Sequence, residues 1–244
     1  MSINSAMWMA GGMFECSYAI TVNQTSGHDI EYYLKNTGCG GRLWDGFMPV
    51  DVTLTVNPGV HVGYTGPAGP VYSIDTGNGP WPAGSEITII NNGHIQGKGG
   101  DGGTSPNGAG QAGGSAINIQ YPVTIQNNSI ISGGGGGGGG GSPSGGTNPP
   151  GPPPGEKNGP NPGNPYTSPG GTGGGGAGYQ PGDPGGSTSA GGAAGHRAGA
   201  GGALGAAGSA GTSGAGGGAG YYIKQNSQTV TWTATGTRNG SAQS

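Results

Sequence analysis

Charged side chains are scarce in this chain, and their scarcity limits the functions that it can have. Only 7% of its 244 residues are charged, and the formal net charge is −3. Binding to nucleic acid or to an anionic membrane surface needs a basic patch, so neither partner is expected. Disordered chains are usually rich in charge, so the composition also argues against a wholly unfolded protein.

Cysteine and long apolar runs are also scarce. No apolar stretch is long enough to span a bilayer, and the start of the chain lacks the basic region of a secretory signal. The sequence therefore predicts a protein that is made and assembled in a cytosol. In such a compartment the two cysteines, Cys16 and Cys39, are expected to be free thiols rather than a disulfide.

No catalytic arrangement can be recognised. G-x-G-x-x-G matches arise by chance in so much glycine, and none lies between a predicted strand and a helix. No amphipathic helix is evident, and no Ser/His/Asp set, Cys/His set or paired carboxylates can be proposed. His28, Asp29 and Glu31 carry atoms that can bind metal, but three polar residues in a loop are expected to be solvated. The prediction is a protein that is not an enzyme and has no cofactor or metal.

What the sequence has is glycine, 65 residues of it, together with 20 prolines. The glycine is concentrated in blocks separated by segments of different composition. The blocks are residues 97–103, 108–114, 133–141, 170–178, 191–195, 199–208 and 214–220. Because glycine has no side chain to bury, this region is either a disordered linker or a set of backbones that pack directly on one another.

Direct packing of backbones is the favoured interpretation. The blocks mix glycine with alanine, whereas flexible tethers mix glycine with serine. A three-residue-per-turn helix of the polyproline II type has no internal hydrogen bonds, so bare rods of this form can bond to neighbours on several sides. Collagen also places glycine where chains crowd, but it requires a strict period of three, which these blocks do not keep.

The segments before and after the glycine blocks indicate β-structure. Residues 49–62 alternate apolar and polar side chains, as a half-buried strand does. Residues 87–99 are repeated at 123–135, each copy being a strand, an Asn-Asn corner, an isoleucine and a glycine block. Units that stack their apolar faces at this period predict a short β-solenoid layer. The β-rich tail is expected to close the sheet begun near residue 50.

The predicted fold is mostly irregular and all-β, with a polyglycine II helix sandwich on a small β-platform and almost no α-helix. Four parts are expected along the chain. They are an N-terminal segment at 1–48, a β-platform at 49–96, a polyglycine II domain at 97–220 with a β-insert at 115–132, and a tail at 221–244 that closes the platform.

A unit at residues 87–100, Ile-Thr-Ile-Ile-Asn-Asn-Gly-x-Ile-x-Gly-x-Gly-Gly, and a closing Val-Thr-Trp…Gly-Thr-Arg-x-Gly at 230–240 occur together with the glycine blocks. This combination resembles the glycine-rich receptor-binding adhesins at the tips of tailed-bacteriophage fibres. They include the long-tail-fibre adhesins of T-even-like phages and the central-fibre tips of some siphophages. The resemblance covers about residues 50–244, and the first 48 residues do not match the T-even N-terminal sequence.

The resemblance implies a phage adhesin that binds a host outer-membrane protein through the loops between its rods. By position, the receptor-binding residues would be Thr104, Ser105, Pro106, Asn107, Glu156, Lys157, Asn158, Tyr166, Tyr179, Gln180, Asp183, His196, Arg197, Thr212 and Ser213. The alternative is that these residues are ordinary solvated loop residues.

The resemblance also implies that the N-terminal part is seated, as a single copy, on a trimeric tail-fibre protein at the fibre tip of the virion. The residues expected to contact the fibre are Met7, Trp8, Met9, Met13 and Phe14. The same apolar residues fit the core of a small domain equally well, because methionine and tryptophan are common in both settings. The alternative function is an ice-binding or structural glycine-rich protein built on polyglycine II rods.

Overall fold

The computed structural model describes residues 12–64, 72–104, 108–141 and 198–244, together with the backbone of 144–145 and 167–168. Almost all of its regular structure is β-strand, and the strands recur in groups of three along the chain. No helix in this described part combines the length and apolar character needed to cross a bilayer.

Each group of strands forms one rung of a solenoid. The first rung has β1 (Phe14–Ile20) and β2 (His28–Asp29), and is followed by the helix α1 (Ile30–Asn36). The second has β3 (Val50–Val56), β4 (His61–Gly63) and β5 (Ile74–Asp75), and the third has β6 (Glu86–Asn91), β7 (His94–Gln96) and β8 (Ile117–Asn118).

The fourth rung begins with β9 (Val123–Asn127) and β10 (Ile130–Ser132). The chain then leaves the solenoid and forms a small antiparallel pair, β11 (Ser144–Gly145) and β12 (Thr167–Ser168). It returns to complete the fourth rung with β13 (Ile223–Lys224), and the fifth rung consists of β14 (Val230–Ala234), β15 (Thr237–Asn239) and β16 (Ala242–Gln243).

The rungs stack into three parallel sheets. Their strand orders are β1-β3-β6-β9-β14, β4-β7-β10-β15 and β2-β5-β8-β13-β16. In the first rung Gln24 completes the second sheet through an isolated parallel bridge to Val62. The two copies of the sequence repeat are the third and fourth rungs, and they pair in register, with Ile89 beside Ile125. The predicted solenoid layer is confirmed, and the tail extends its first sheet as β14.

The core is a set of apolar stacks along the solenoid axis. In the first sheet Leu54, Ile89 and Ile125 lie in register and are fully buried. Because side chains alternate across a strand, every second residue points inward, and branched apolar residues at those positions fit a pleated surface. Complete burial of each contributes about 1.5–3 kcal/mol relative to exposure.

A short helix packs over the first rung. Asp29 caps α1 by accepting a hydrogen bond from the backbone N–H of Tyr32 at 2.9 Å, and Ile30 and Leu34 on one face are fully buried. The sequence analysis found no amphipathic helix, and that interpretation was wrong. Seven residues give a single buried i, i+4 pair, which is too little periodicity to predict a helix.

At the last rung the inward side chains are larger and partly exposed. Arg238, which is in register with Ile131, lies over two aromatic rings, 4.9 Å from the centroid of Trp232 and 5.3 Å from that of Tyr222. These cation–π contacts cover the apolar stack where no further rung follows. Trp232 itself lies in β14, the last strand of the first sheet.

The expectation of two free thiols was wrong, because Cys16 and Cys39 form a disulfide with their Cα atoms 5.5 Å apart. Cys16 points inward from β1, and Cys39 begins a tight hairpin after α1. The same strand β1 pairs along its whole length with β3. Residues 12–48 therefore share one core with residues 49–96, and no separate core marks the expected boundary at residue 48.

Six glycine-rich rods project from the solenoid within the described residues. They span residues 97–103, 108–114, 133–141, 198–204, 206–211 and 214–220 and are called rods 1 to 6. Hydrogen bonds between them recur every third residue, as in the bonds from the N–H groups of Gly97, Gly100 and Gly103 to carbonyls at 132, 135 and 138. This spacing is that of a three-residue-per-turn helix, so the polyglycine II sandwich is confirmed.

Rod 3 lies at the centre of the sandwich and bonds to the other five. All nine of its glycines are buried, and an added Cβ would overlap a neighbouring backbone at Gly133 through Gly140. Every third glycine faces the same neighbour. Gly134 and Gly137 face rod 1 and Gly140 faces Thr104 just after it, Gly135 and Gly138 face rod 4, and Gly133, Gly136 and Gly139 face rod 6. No other residue type fits such a position, which explains the unbroken run of glycine.

One predicted block is divided in the structure. Residues 199–208 supply rods 4 and 5, which are joined by a turn where Ala206 donates from its N–H to the carbonyl of Ala203 at 2.9 Å. Gly205 has a φ of 68° in this turn, a conformation that glycine adopts without strain. The blocks at 170–178 and 191–195 lie outside the described residues.

Candidate functional site

The rods end in a surface that lies away from the solenoid. Rods 1 and 3 start directly after β7 and β10, and rods 2 and 6 return directly before β8 and β13. A seven-residue rod with a rise of about 3.1 Å per residue places its far end about 20 Å from the solenoid. We call this surface the distal face.

Two of the predicted loops meet at the distal face beside Gly140. The turn after rod 1 is closed by a hydrogen bond from the N–H of Gly108 to the carbonyl of Thr104 at 2.8 Å, and the carbonyl of Gly108 accepts from the N–H of Gly140. The turn between rods 5 and 6 reaches the same glycine, because the N–H of Gly214 donates to the carbonyl of Gly140 at 3.0 Å.

Three of the predicted receptor-binding residues are therefore brought together. Thr104, Thr212 and Ser213 are exposed on these two turns. Far apart in sequence, they are neighbours because both turns flank the end of the central rod. Their hydroxyl groups can each donate and accept hydrogen bonds, and the turns carry no charge of their own.

The remaining predicted receptor-binding residues lie outside the described part of the chain. They are Ser105, Pro106, Asn107, Glu156, Lys157, Asn158, Tyr166, Tyr179, Gln180, Asp183, His196 and Arg197. The longest of these segments leaves the distal face at Gly141 and rejoins it at Ala198, where the N–H of Gly199 donates to the carbonyl of Gly139 at 2.8 Å. All three loops therefore connect to one end of the sandwich.

A different kind of surface surrounds the first rung. Of the residues predicted there, Met13 is 41% exposed, whereas Phe14 is buried at the start of β1 with the guanidinium of Arg42 5.4 Å from its ring centroid. Met7, Trp8 and Met9 lie outside the described residues. Phe14 thus belongs to the core, and it also lines a pocket.

That pocket has a volume of about 490 Å³ and is lined by Phe14, Arg42, Leu43, Asp45 and Met48. We call it the Phe14 pocket. Sequence reasoning missed Arg42, Leu43, Asp45 and Met48 as site residues. The signal available in the sequence was the two apolar pairs Leu43-Trp44 and Phe47-Met48. Which member of each pair is exposed depends on the conformation of the loop, so the sequence alone does not show it.

Three aromatic side chains pack together beside α1. The rings of Tyr18 and Tyr33 stack with centroids 4.0 Å apart, and the Tyr18 hydroxyl lies 2.9 Å from Nε2 of His28. Burial lowers the pKa of His28 to about 4, and burial, followed by the nearby Tyr33 and Asp29, raises the pKa of Tyr18. Burial also raises the pKa of Asp29. His28 is therefore neutral at pH 7, and the cluster serves packing.

Histidines that seemed unrelated in sequence are neighbours in the second sheet. His61 and His94 lie side by side in register, with ring centroids 4.3 Å apart. Across the described residues, no group of three or more His, Cys, Asp or Glu side chains is arranged to hold a metal ion.

Comparison with known proteins assigns the family. The model for the phage tail fibre adhesin Gp38 matches residues 17–243, nearly the whole chain. The chain belongs to this family. No curated protein sequence matches it significantly. Among solved structures, the gp37–gp38 adhesin tip complex of the long tail fibre of bacteriophage S16 is similar, with a TM-score of 0.52 and 22% sequence identity over 93% of this chain and 82% of that chain.

Family membership makes the adhesin a component of a phage tail fibre. The family favours a structural, adhesive role over catalysis. At 22% identity the structural similarity shows the fold alone. What the adhesin binds is therefore inferred from its own surfaces. The ice-binding interpretation gains no support from the family.

Proposed function

We propose that the adhesin binds a host outer-membrane protein through its distal face. The observation that carries this proposal is the convergence of three loops on one end of the rod sandwich, beside Gly140. A rigid frame made of backbone does not depend on the sequence of its loops, so the loops can vary in specificity without loss of the fold. Polar and aromatic loop residues on a rigid frame suit recognition of a protein surface.

The candidate residues of the three loops, from Thr104 to Ser213, contact the receptor. The parts of the chain have separate tasks. Residues 97–220, outside the β-strands at 115–132, form the receptor-binding part, and residues 49–96 with 221–244 form the platform that carries it. Residues 1–48 attach one copy of the adhesin to a trimeric fibre protein after assembly in the host cytoplasm.

Attachment to a fibre protein is supported by two observations. The similar solved structure is a complex of gp37 with gp38 at the tip of a long tail fibre. In the described part of the adhesin, the exposed large hydrophobic side chains all lie in residues 12–48, and exposed apolar surface often marks an interaction site.

Exchange of loops tests receptor binding. Replacement of residues 142–169 and 179–190 by the corresponding loops of another adhesin of this family should change the host range of the phage. A point variant gives a finer test, because Ser213→Arg on the distal face should reduce adsorption to host cells. The matched control is Ala203→Arg, which is also exposed but lies at the turn nearest the solenoid.

Unchanged host range after the loop exchange would contradict the proposal, provided that the exchanged adhesin is present on the particle. Equal adsorption by the Ser213→Arg and Ala203→Arg phages would place receptor contact elsewhere on the molecule.

A further inference from the structure

Among the described residues, the large hydrophobic side chains that are exposed all lie in one stretch of the chain. The large hydrophobic side chains that the structure leaves exposed are Met13, Val22, Tyr32, Leu43 and Phe47, with exposed fractions from 41% to 86%. All five lie in residues 12–48, although the described residues extend to 244. Single exposed apolar residues are common on any protein, but a concentration in one region indicates a surface that is covered in the assembled particle.

Within this region lies the Phe14 pocket, and its walls are fixed. One wall is the start of β1, where the N–H of Phe14 donates to the carbonyl of Pro49 at 2.8 Å. The other wall is the loop of residues 42–48. It is joined to the first wall by the Cys16–Cys39 disulfide and by two backbone hydrogen bonds between Cys39 and Arg42, of 2.9 and 3.0 Å.

Side chains hold the loop of residues 42–48 internally as well. The Oδ1 atom of Asp45 accepts from the backbone N–H groups of Phe47 and Met48, at 2.8 and 3.2 Å. Nε1 of Trp44 donates to the carbonyl of Met48 at 2.7 Å. A pocket held in this way requires little ordering when a partner enters, which favours binding.

The lining of the pocket indicates what it would take. Phe14, Leu43 and Met48 supply an apolar interior, and Arg42 and Asp45 supply one charge of each sign. Its volume of about 490 Å³ admits a large aromatic or aliphatic side chain. Buried aromatic and aliphatic anchors in such pockets carry most of the energy of many protein interfaces, and methionine adapts to the shape of the anchor.

We propose that the Phe14 pocket is the docking site for an apolar side chain at the tip of the tail-fibre protein. This inference rests on the proposed attachment function and adds the place of attachment and the chemistry of the partner. The pocket lies in the first rung, whereas the rods leave the third and fourth rungs. The fibre and the host receptor therefore contact different parts of the adhesin.

A charge placed in the pocket tests the inference. The full-length Leu43→Asp adhesin should bind the trimeric distal fragment of the fibre protein from the same phage at least about tenfold more weakly than the wild type. The matched control is Thr231→Asp, which puts the same charge on an exposed side chain of β14 in the fifth rung, outside the pocket lining and outside residues 12–48. The control should bind within about twofold of the wild type.

A second variant separates loss of the pocket from the effect of charge. Leu43→Trp fills the pocket without adding charge, and it should weaken fibre binding while the unfolding temperature stays that of the wild type. If Leu43→Asp binds the fibre as tightly as Thr231→Asp, the inference is wrong. The inference is also wrong if removal of residues 1–11 abolishes fibre binding while both Leu43 variants bind the fibre as the wild type does. If the wild type itself does not bind the fibre fragment, the proposed attachment function fails instead.

Discussion

Asn91 donates from Nδ2 to Oδ1 of Asn127 at 2.8 Å, inside the corner between the first and second sheets of the solenoid. Asn127 in turn donates to the carbonyls of Thr235 and Thr237 in the next rung. Both asparagines are fully buried. The ladder therefore links three successive rungs by amide hydrogen bonds and satisfies the backbone groups that the corner leaves unpaired.

Replacement of Asn127 by alanine should strongly destabilise the adhesin. The change leaves buried donors and acceptors in two rungs without partners, and each such group costs about 1–3 kcal/mol. We expect a loss of about 3 kcal/mol or more in the free energy of unfolding, measured by denaturant titration.

The neighbouring pair provides the control for this prediction. Asn128 donates to Asn92 at the same distance of 2.8 Å, but on the exposed side of the same corner. Asn128→Ala should therefore cost less than about 1 kcal/mol. Equal losses for Asn127→Ala and Asn128→Ala would show that burial of the ladder contributes nothing.

This corner also shows how far the sequence could predict the fold. The third and fourth rungs share the Asn-Asn corner and the same spacing, so the repeat predicts their stacking. The first rung lacks that corner and pairs through Gln24 and a two-residue strand, so no repeat connects it with the others. Its membership of the solenoid is evident only in the structure, where β1 pairs with β3, β2 pairs with β5 and Gln24 bridges to Val62.

The rods were predictable for a different reason. A glycine run without side chains has few ordered structures available, so composition alone indicates polyglycine II. The order of the rods was not predictable, because nothing in the run at 133–141 says that it bonds to all the others. The order of the rods determines which loops lie together at the distal face. From the sequence alone these loops could be named but not placed beside one another.

Substitution of a central glycine should disrupt the sandwich. An added Cβ at Gly137 would overlap the carbonyl of Asp101 in rod 1, and neither backbone can move away without loss of its hydrogen bonds. Gly137→Ala is expected to cost at least about 3 kcal/mol in the free energy of unfolding. Faster exchange of amide hydrogens in rod 3 should accompany the loss.

Gly218 is the matched control, because an alanine Cβ there meets nothing within 4 Å. Gly218→Ala should leave stability unchanged or raise it by up to about 1 kcal/mol, since alanine restricts the unfolded chain. If Gly137→Ala is as stable as Gly218→Ala, the packing of rod 3 against rod 1 is not what holds the sandwich together.

Reduction of the disulfide should destabilise the solenoid at its first rung. Cys16 and Cys39 are 23 residues apart, and closure of a loop of this size in the unfolded chain corresponds to about 3 kcal/mol. The Cys16→Ser, Cys39→Ser double variant should show the same loss without reductant. Thermal unfolding of both proteins, with and without reductant, measures it. A double variant as stable as the oxidised wild type would contradict the prediction.

Acidification should weaken the packing of α1 through His28. Its pKa is lowered to about 4 in the folded protein, whereas an unfolded histidine titrates near 6.5. Between these values the unfolded chain binds more protons, so stability falls as the pH drops from about 6.5 to about 4 and then levels off. Over this whole pH range, His28 lowers the free energy of unfolding by about 3 kcal/mol. Asp29, whose pKa is raised, opposes this loss in the acidic part of the range.

The variant His28→Phe isolates this effect, because it keeps an aromatic ring beside Tyr18 and Tyr33 and removes the titrating group. Denaturant unfolding at pH 7 and pH 5 gives the pH-dependent loss for each protein. The loss should be smaller in His28→Phe than in the wild type by about 2 kcal/mol. An identical loss in both proteins would mean that His28 accepts its proton in the folded state as readily as in the unfolded one, and that burial against Tyr18 does not keep it neutral.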